Sequence, residues 1–176
     1  MRHLYIPITL FLLLVVEGVN GQLLASFLLD SDTQLVPHWL FIFLILIAIF
    51  YDRETTYFSV VYSVIFGLFI DIVYTDILGV YMFVYGIVTY IVHTLKKHFR
   101  ENFTVTFLLG VIGIILVELA INTIYLFIGV AQFEWSHYFY FRLLPTVLAN
   151  MIFLIICYPF FKNRLLSWKQ GDLVDR

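Results

Sequence analysis

Charge is scarce in this chain. Asp, Glu, Lys and Arg make up 12% of the 176 residues, while 62% are hydrophobic. Ordinary soluble domains carry about 25% charged residues. So few charges cannot cover a water-facing surface, which makes lipid the main solvent. The net charge of −2 gives no electrostatic case for nucleic acid. Cysteine is almost missing as well. Cys157 is the only one and lies in an apolar run, so an intrachain disulfide is excluded and the thiol reads as a buried apolar group. Also lacking are internal repeats, low-complexity tracts and any linker long enough to join two domains.

Signatures of catalysis are missing too. The five histidines, His3, His38, His93, His98 and His137, form no HExxH pattern. There is no GxSxG elbow and no glycine loop to cradle phosphate. Asp71 sits in "GLFID", which does not match the Gly-x-Gly-Asp signature of intramembrane aspartyl proteases. The residues therefore support neither an enzyme nor a bound metal or cofactor.

What is present is a series of apolar runs. A spanning helix needs about 20 mostly apolar residues. Six spans are expected, at 4–29, 37–51, 55–73, 77–95, 103–130 and 138–161. The intervening turns carry "DSDTQ", "DRE", "YTD", "KKHFREN" and "AQFEWSH". This gives an all-α polytopic membrane domain over 1–161 and a polar tail over 162–176. With the N-terminus inside, the inner segments hold nine of the ten cations: Arg2, Arg53, Lys96, Lys97, Arg100, Lys162, Arg164, Lys169 and Arg176. The outer loops hold none, and Arg142 falls within the sixth span. Cytoplasmic loops collect Lys and Arg, so both termini are expected in the cytoplasm. Phe133, Trp135 and 138–141 fit an aromatic belt at the outer end of span six. Arg2 and the run to Val16 also resemble a signal peptide. The run resumes after Gly21, which favours a retained span.

Polar groups inside the spans are the candidate functional residues, because an ionisable group at a helix centre is costly in lipid. Glu17 and Glu118 lie deep, at about 1.5 Å of rise per residue. They act either as glue between helices or as contacts for a ligand or partner. Glu118 and Asn122 share a face. Asp71 and Arg142 both lie near the outer end, where they can pair; the alternatives are that Arg142 snorkels to the headgroups and that Asp71 caps or wets the tight turn at Tyr74 to Asp76. Asp76 is expected to cap the fourth span. Tyr81, Tyr85, Thr89 and His93 form a polar stripe on that span. They either find internal partners or line a cavity. Pro145 frees the carbonyl of Phe141, and Arg142 and Thr146 are placed to satisfy it locally.

Two stretches carry a resemblance: "GLFIDIVYTDILGVYMFVYGIVTYIV" from Gly67 and "RLLPTVLANMIFLIICYP" from Arg142. Gly67, Asp71, Leu78 and Gly79 in the first, Arg142, Pro145 and Asn150 in the second, and the early Glu17 resemble the MreD family of bacterial rod shape-determining membrane proteins. The resemblance runs nearly end to end. It implies a non-enzymatic scaffold of the cell-elongation complex in the cytoplasmic membrane. MreC would be its direct partner, through its membrane span and outer domain. MreB, RodA and a penicillin-binding transpeptidase would be reached indirectly, so that cytoplasmic filaments are coupled to peptidoglycan synthesis. The fold implied resembles the substrate-binding subunits of energy-coupling-factor vitamin transporters. The rival function is therefore such a subunit, with Tyr81, Tyr85, Glu118 and Arg142 lining a pocket.

Overall fold

The computed structural model describes residues 4–27, 34–130 and 135–174. Most of the outer turns expected at 30–34 and 131–137, namely 30–33 and 131–134 with the aromatic Phe133, lies outside the described residues, as do the cations Arg2 and Arg176. Among those described there are six helices and no strand. The first, α1, is Tyr5–Phe27. The second, α2, is Trp39–Leu46 and ends in a π-helical turn, Ile47–Tyr51. Then come α3, Phe58–Tyr74, α4, Val80–Lys96, and α5, Phe103–Phe127. The sixth, α6, starts as Trp135–Tyr138, passes through a π-helical turn at Phe139–Leu143, and continues as Leu144–Val174. It runs well past the expected boundary at 161. By length and composition α5 and α6 can each cross a membrane; the other four are shorter apolar helices.

The bundle is built around α2. Residues 40–50 are each at most 1% exposed, and α2 touches α1, α3, α4, α5 and the long last helix, α6. A helix that is apolar on every side has no solvent face to offer and goes to the centre. Its thirteen residues rise only about 20 Å, against a hydrocarbon core about 30 Å thick. The preceding stretch, 34–38, is extended.

Sidedness is inverted relative to a water-soluble protein. Ile156 is 70% exposed, Leu78 68% and Leu12 59%, while Asp71, His38 and Asn150 are fully buried. An exposed apolar surface this extensive needs something other than water against it. The turn at 52–57, the turn at 97–102 and the distal part of α6 meet at one end, which we call the basic end. Lys96 contacts Ala48 and Asp52 there, and Lys169 lies 3.9 Å from Glu101.

The α3–α4 hairpin depends on one small residue. A Cβ at Gly67 would stand 2.7 Å from Met82 Cα and 2.8 Å from the Tyr81 carbonyl oxygen. Both are backbone atoms with little room to shift. Gly67→Val is expected to force the helices apart at a cost of about 1–3 kcal/mol, the usual range for overpacking. A thermal melt of the purified protein in detergent checks this. Leu68→Val, on the exposed side of the same helix, is the matched control and should leave the melt unchanged.

Candidate functional site

Acids buried or half-buried in the bundle face the ends of neighbouring helices. The first amide groups of any helix lack an intrahelical acceptor, and that end carries partial positive charge. Glu17 on α1 supplies Oε2 to the amide of Leu40, 2.8 Å away, at the start of α2. Asp71 on α3 takes three amides at the start of α4: Gly79 at 3.0 Å, Tyr81 at 2.9 Å and Met82 at 3.0 Å. Gly79 occupies the left-handed region, φ +97°, which turns its amide toward that carboxylate at little cost for glycine. Asp52 accepts from the Phe58 amide at 3.1 Å and from Ser59 through its amide at 3.0 Å and its hydroxyl at 2.5 Å, so it caps α3. Burial pushes the Asp52 carboxyl above the usual carboxylate range, and the Ser59 bonds and the Lys96 charge pull against that. Lys96 does the converse job. Its ammonium donates to the carbonyls of Ala48 and Asp52, where α2 ends and its last acceptors are open.

Two expectations are corrected here. Asp76 does not cap α4. The cap position is Gly79, which has no side chain to give, and the carboxylate arrives from Asp71 across the close approach at Gly67. Nor does Asp71 pair with Arg142, because its oxygens are already taken up by the three amides. Arg142 instead donates from Nε to Glu118 Oε2 at 3.0 Å.

The extended stretch 34–38 is tied to α6 along its length. The amide of Gln34 donates to the Phe141 carbonyl at 2.8 Å, the acceptor that Pro145 leaves open. The Val36 amide donates to Thr146 Oγ1 at 3.2 Å. Asn150 Nδ2 donates to the Val36 carbonyl at 3.0 Å, and Asn150 Oδ1 accepts from the His38 amide at 2.7 Å. The freed carbonyl is thus satisfied by a distant segment and not by Arg142 and Thr146 locally. A local solution would have left the amides of 34–38 without acceptors. Irregular backbone at membrane depth is tolerated only where protein buries and satisfies it.

At the start of α2 these bonds lead into a second set. His38 is fully buried, with Nε2 2.9 Å from Glu118 Oε1 and Nδ1 2.8 Å from the Tyr85 hydroxyl. A carboxylate only accepts, so Nε2 donates to Glu118. Glu118 Oε2 also takes the Tyr138 hydroxyl at 3.2 Å, and Arg142 Nη1 reaches Gln34 Oε1 at 3.4 Å. Glu118 therefore joins α2, α5 and α6 through one carboxylate, with the guanidinium balancing its charge. His38 and Tyr85 have no exposed surface.

The residues singled out from the sequence thus fall into three places. Glu118, Arg142 and Tyr85 meet at His38. Asp71 lies at the α3–α4 turn. Glu17 and Tyr81 line a cavity of about 270 Å³ with Tyr74, Thr75, Val36 and Pro37. Of the stripe on α4, Tyr85, Thr89 and His93 are fully buried, and His93 Nδ1 stands 3.7 Å from Asp52. Sequence reasoning missed His38, and it missed the structural part played by Asn150, Asp52 and Lys96. The signals available were Pro37–His38 opening a short apolar run and an asparagine one turn beyond Thr146.

Removing Asn150 strands the His38 amide and the Val36 carbonyl. Asn150→Ala is expected to cost about 1–3 kcal/mol for each buried group left unpaired. Arg142→Gln leaves a buried carboxylate without its countercharge. Because Arg142 is 25% exposed, the cost should fall at the low end of the ~3–5 kcal/mol of a broken buried pair. Adding Glu118→Gln should recover part of that loss. A double-mutant cycle on detergent-denaturation midpoints measures the coupling, and strict additivity would contradict it.

No curated protein and no solved structure matches this chain. The family model of the rod shape-determining protein MreD matches residues 1–166. Its span takes in every buried acid described above, along with the segment 34–38 and its ties to α6. This chain belongs to the MreD family, the rod shape-determining membrane proteins.

Proposed function

We propose that this protein is a multi-pass scaffold of the bacterial cytoplasmic membrane, with both termini in the cytoplasm. In that role it binds MreC and links MreB filaments to peptidoglycan synthesis, with RodA and a penicillin-binding transpeptidase reached indirectly. One observation carries the non-catalytic part of this reading: among the described residues, the carboxylates inside the bundle and Lys96 are engaged in holding helix ends and the segment 34–38. Glu17, Asp52, Asp71, Lys96 and Glu118 all have backbone or side-chain partners inside the bundle. What remains for a partner is the outer face of the helices, which is apolar, and the short turns. Support for the orientation comes from the basic end, where Arg53, Lys96, Lys97 and Lys169 gather.

A second reading is favoured by the cavity beside Glu17 and Tyr81. At about 270 Å³ it lies just under the ~300–1,000 Å³ range of small-molecule sites. Under that reading the bundle would be a vitamin-binding subunit with a fold like that of energy-coupling-factor transporters. Purification from gently solubilised membranes separates the two. The scaffold should carry with it a single-span cell-wall protein at fixed ratio; a transport subunit should bring an ATPase module and a bound small molecule. Depletion tests the biological role: rod-shaped cells are expected to lose their cylinder and round up, and unchanged rods would refute the scaffold reading. For the orientation, a reporter active only outside the membrane should stay silent when fused after Gly171.

A further inference from the structure

The basic end holds a cavity of about 300 Å³. Its cations come from three separate parts of the chain: Arg53 from the turn after α2, Lys96 and Lys97 from the end of α4, and Lys169 from the far end of α6. A positive-inside bias requires cations in each inner segment, but it does not require them to converge on one concavity. Here they do, in a protein with only ten Lys and Arg in all.

Three carboxylates share the walls, and they do not cancel the cations equally. Asp52 is 1% exposed and is occupied by Phe58 and Ser59 at the start of α3. Glu101 faces Lys169 at 3.9 Å. Glu54 is exposed to solvent. On the other side, Lys96 spends two of its three N–H groups on the carbonyls of Ala48 and Asp52. Lys97 rests over the Tyr57 ring, 5.6 Å from its centroid. Among the described residues neither Lys97 nor Arg53 makes an ion pair. Two uncommitted cations and one spare ammonium proton therefore border a cavity large enough for a phosphate group. Phe99, 51% exposed, adds an apolar wall beside it.

We propose that this cavity binds a phosphate-bearing anion through Arg53, Lys97 and the remaining N–H of Lys96. A guanidinium takes two phosphate oxygens at once, and an ammonium adds a point charge. The source is either the headgroup of an anionic lipid in the adjoining leaflet or a free phosphate compound. The leaflet assignment rests on the orientation proposed above. Micelles have no sides, so the binding test is independent of it.

The test uses the full chain in neutral detergent micelles. Phosphatidylglycerol, phosphatidylcholine of the same chain length, and inorganic phosphate are titrated separately, and the thermal midpoint is followed. Phosphatidylglycerol, but not phosphatidylcholine, is expected to raise the midpoint if the ligand is a lipid. Inorganic phosphate should suffice if it is not. In either case R53Q/K97Q should weaken the apparent affinity about 30-fold, at roughly fivefold per cation near an anionic surface. K162Q/R164Q removes two cations of α6 that do not line the cavity, and should change the affinity little. The proposal is overturned if neither anion shifts the midpoint. It is also overturned if phosphatidylcholine works as well as phosphatidylglycerol, or if the control pair loses as much as the cavity pair.

Discussion

A helix end is the most demanding object to place in hydrocarbon. Its outermost amides or carbonyls have no partner within the helix, and lipid supplies none. This bundle answers by lending side chains across helices. Glu17 serves α2, Asp71 serves α4 and Asp52 serves α3, while Lys96 serves the opposite pole of α2. Sign follows function throughout: carboxylates meet amide ends and the ammonium meets a carbonyl end, as the helix dipole favours. Each such bond also fixes the position of two helices relative to each other, so capping and packing are a single event.

The central helix shows why this matters. By length it is too short to cross a membrane alone, and an extended stretch leads into it. Extended backbone needs a partner strand or its equivalent. Here α6 supplies it with a proline-freed carbonyl, a threonine hydroxyl and an asparagine amide, set on one side of the helix. The Arg142–Glu118–His38 contacts then pin the junction where extended chain turns helical. The arginine, the proline and the asparagine of the last span are thus parts of one device.

Much of this could be read in advance, with a consistent pattern to what could not. Apolar run lengths gave six helices, and depth along a run marked Glu17 and Glu118, of which Glu118 is buried and Glu17 half-buried. Depth is only one coordinate, however. It put Asp71 and Arg142 in the same layer but said nothing of the angle around the bundle, and Arg142 turned to Glu118. Asp76 has the right chemistry at a plausible distance before α4. The close approach at Gly67 nevertheless brings in a carboxylate that precedes the turn, close to the alternative in which Asp71 serves that turn. Asp52 and Lys96 were hidden because loop charges already have a sufficient explanation in topology. His38 was hidden because one histidine in an apolar segment looks alike whether it points to lipid or to a carboxylate.

The lacing of 34–38 to α6 also bears on the timing of assembly. The His38 amide and its acceptor on Asn150 are 112 residues apart in the chain. At about 5–20 residues per second of synthesis, roughly 6–22 seconds pass before that acceptor even exists. Until then the entry to α2 has no lasting home within the membrane. Glu17 and Tyr85 are at hand much sooner, but the acceptors on α6 arrive last, so the innermost helix is among the last elements to be locked in place.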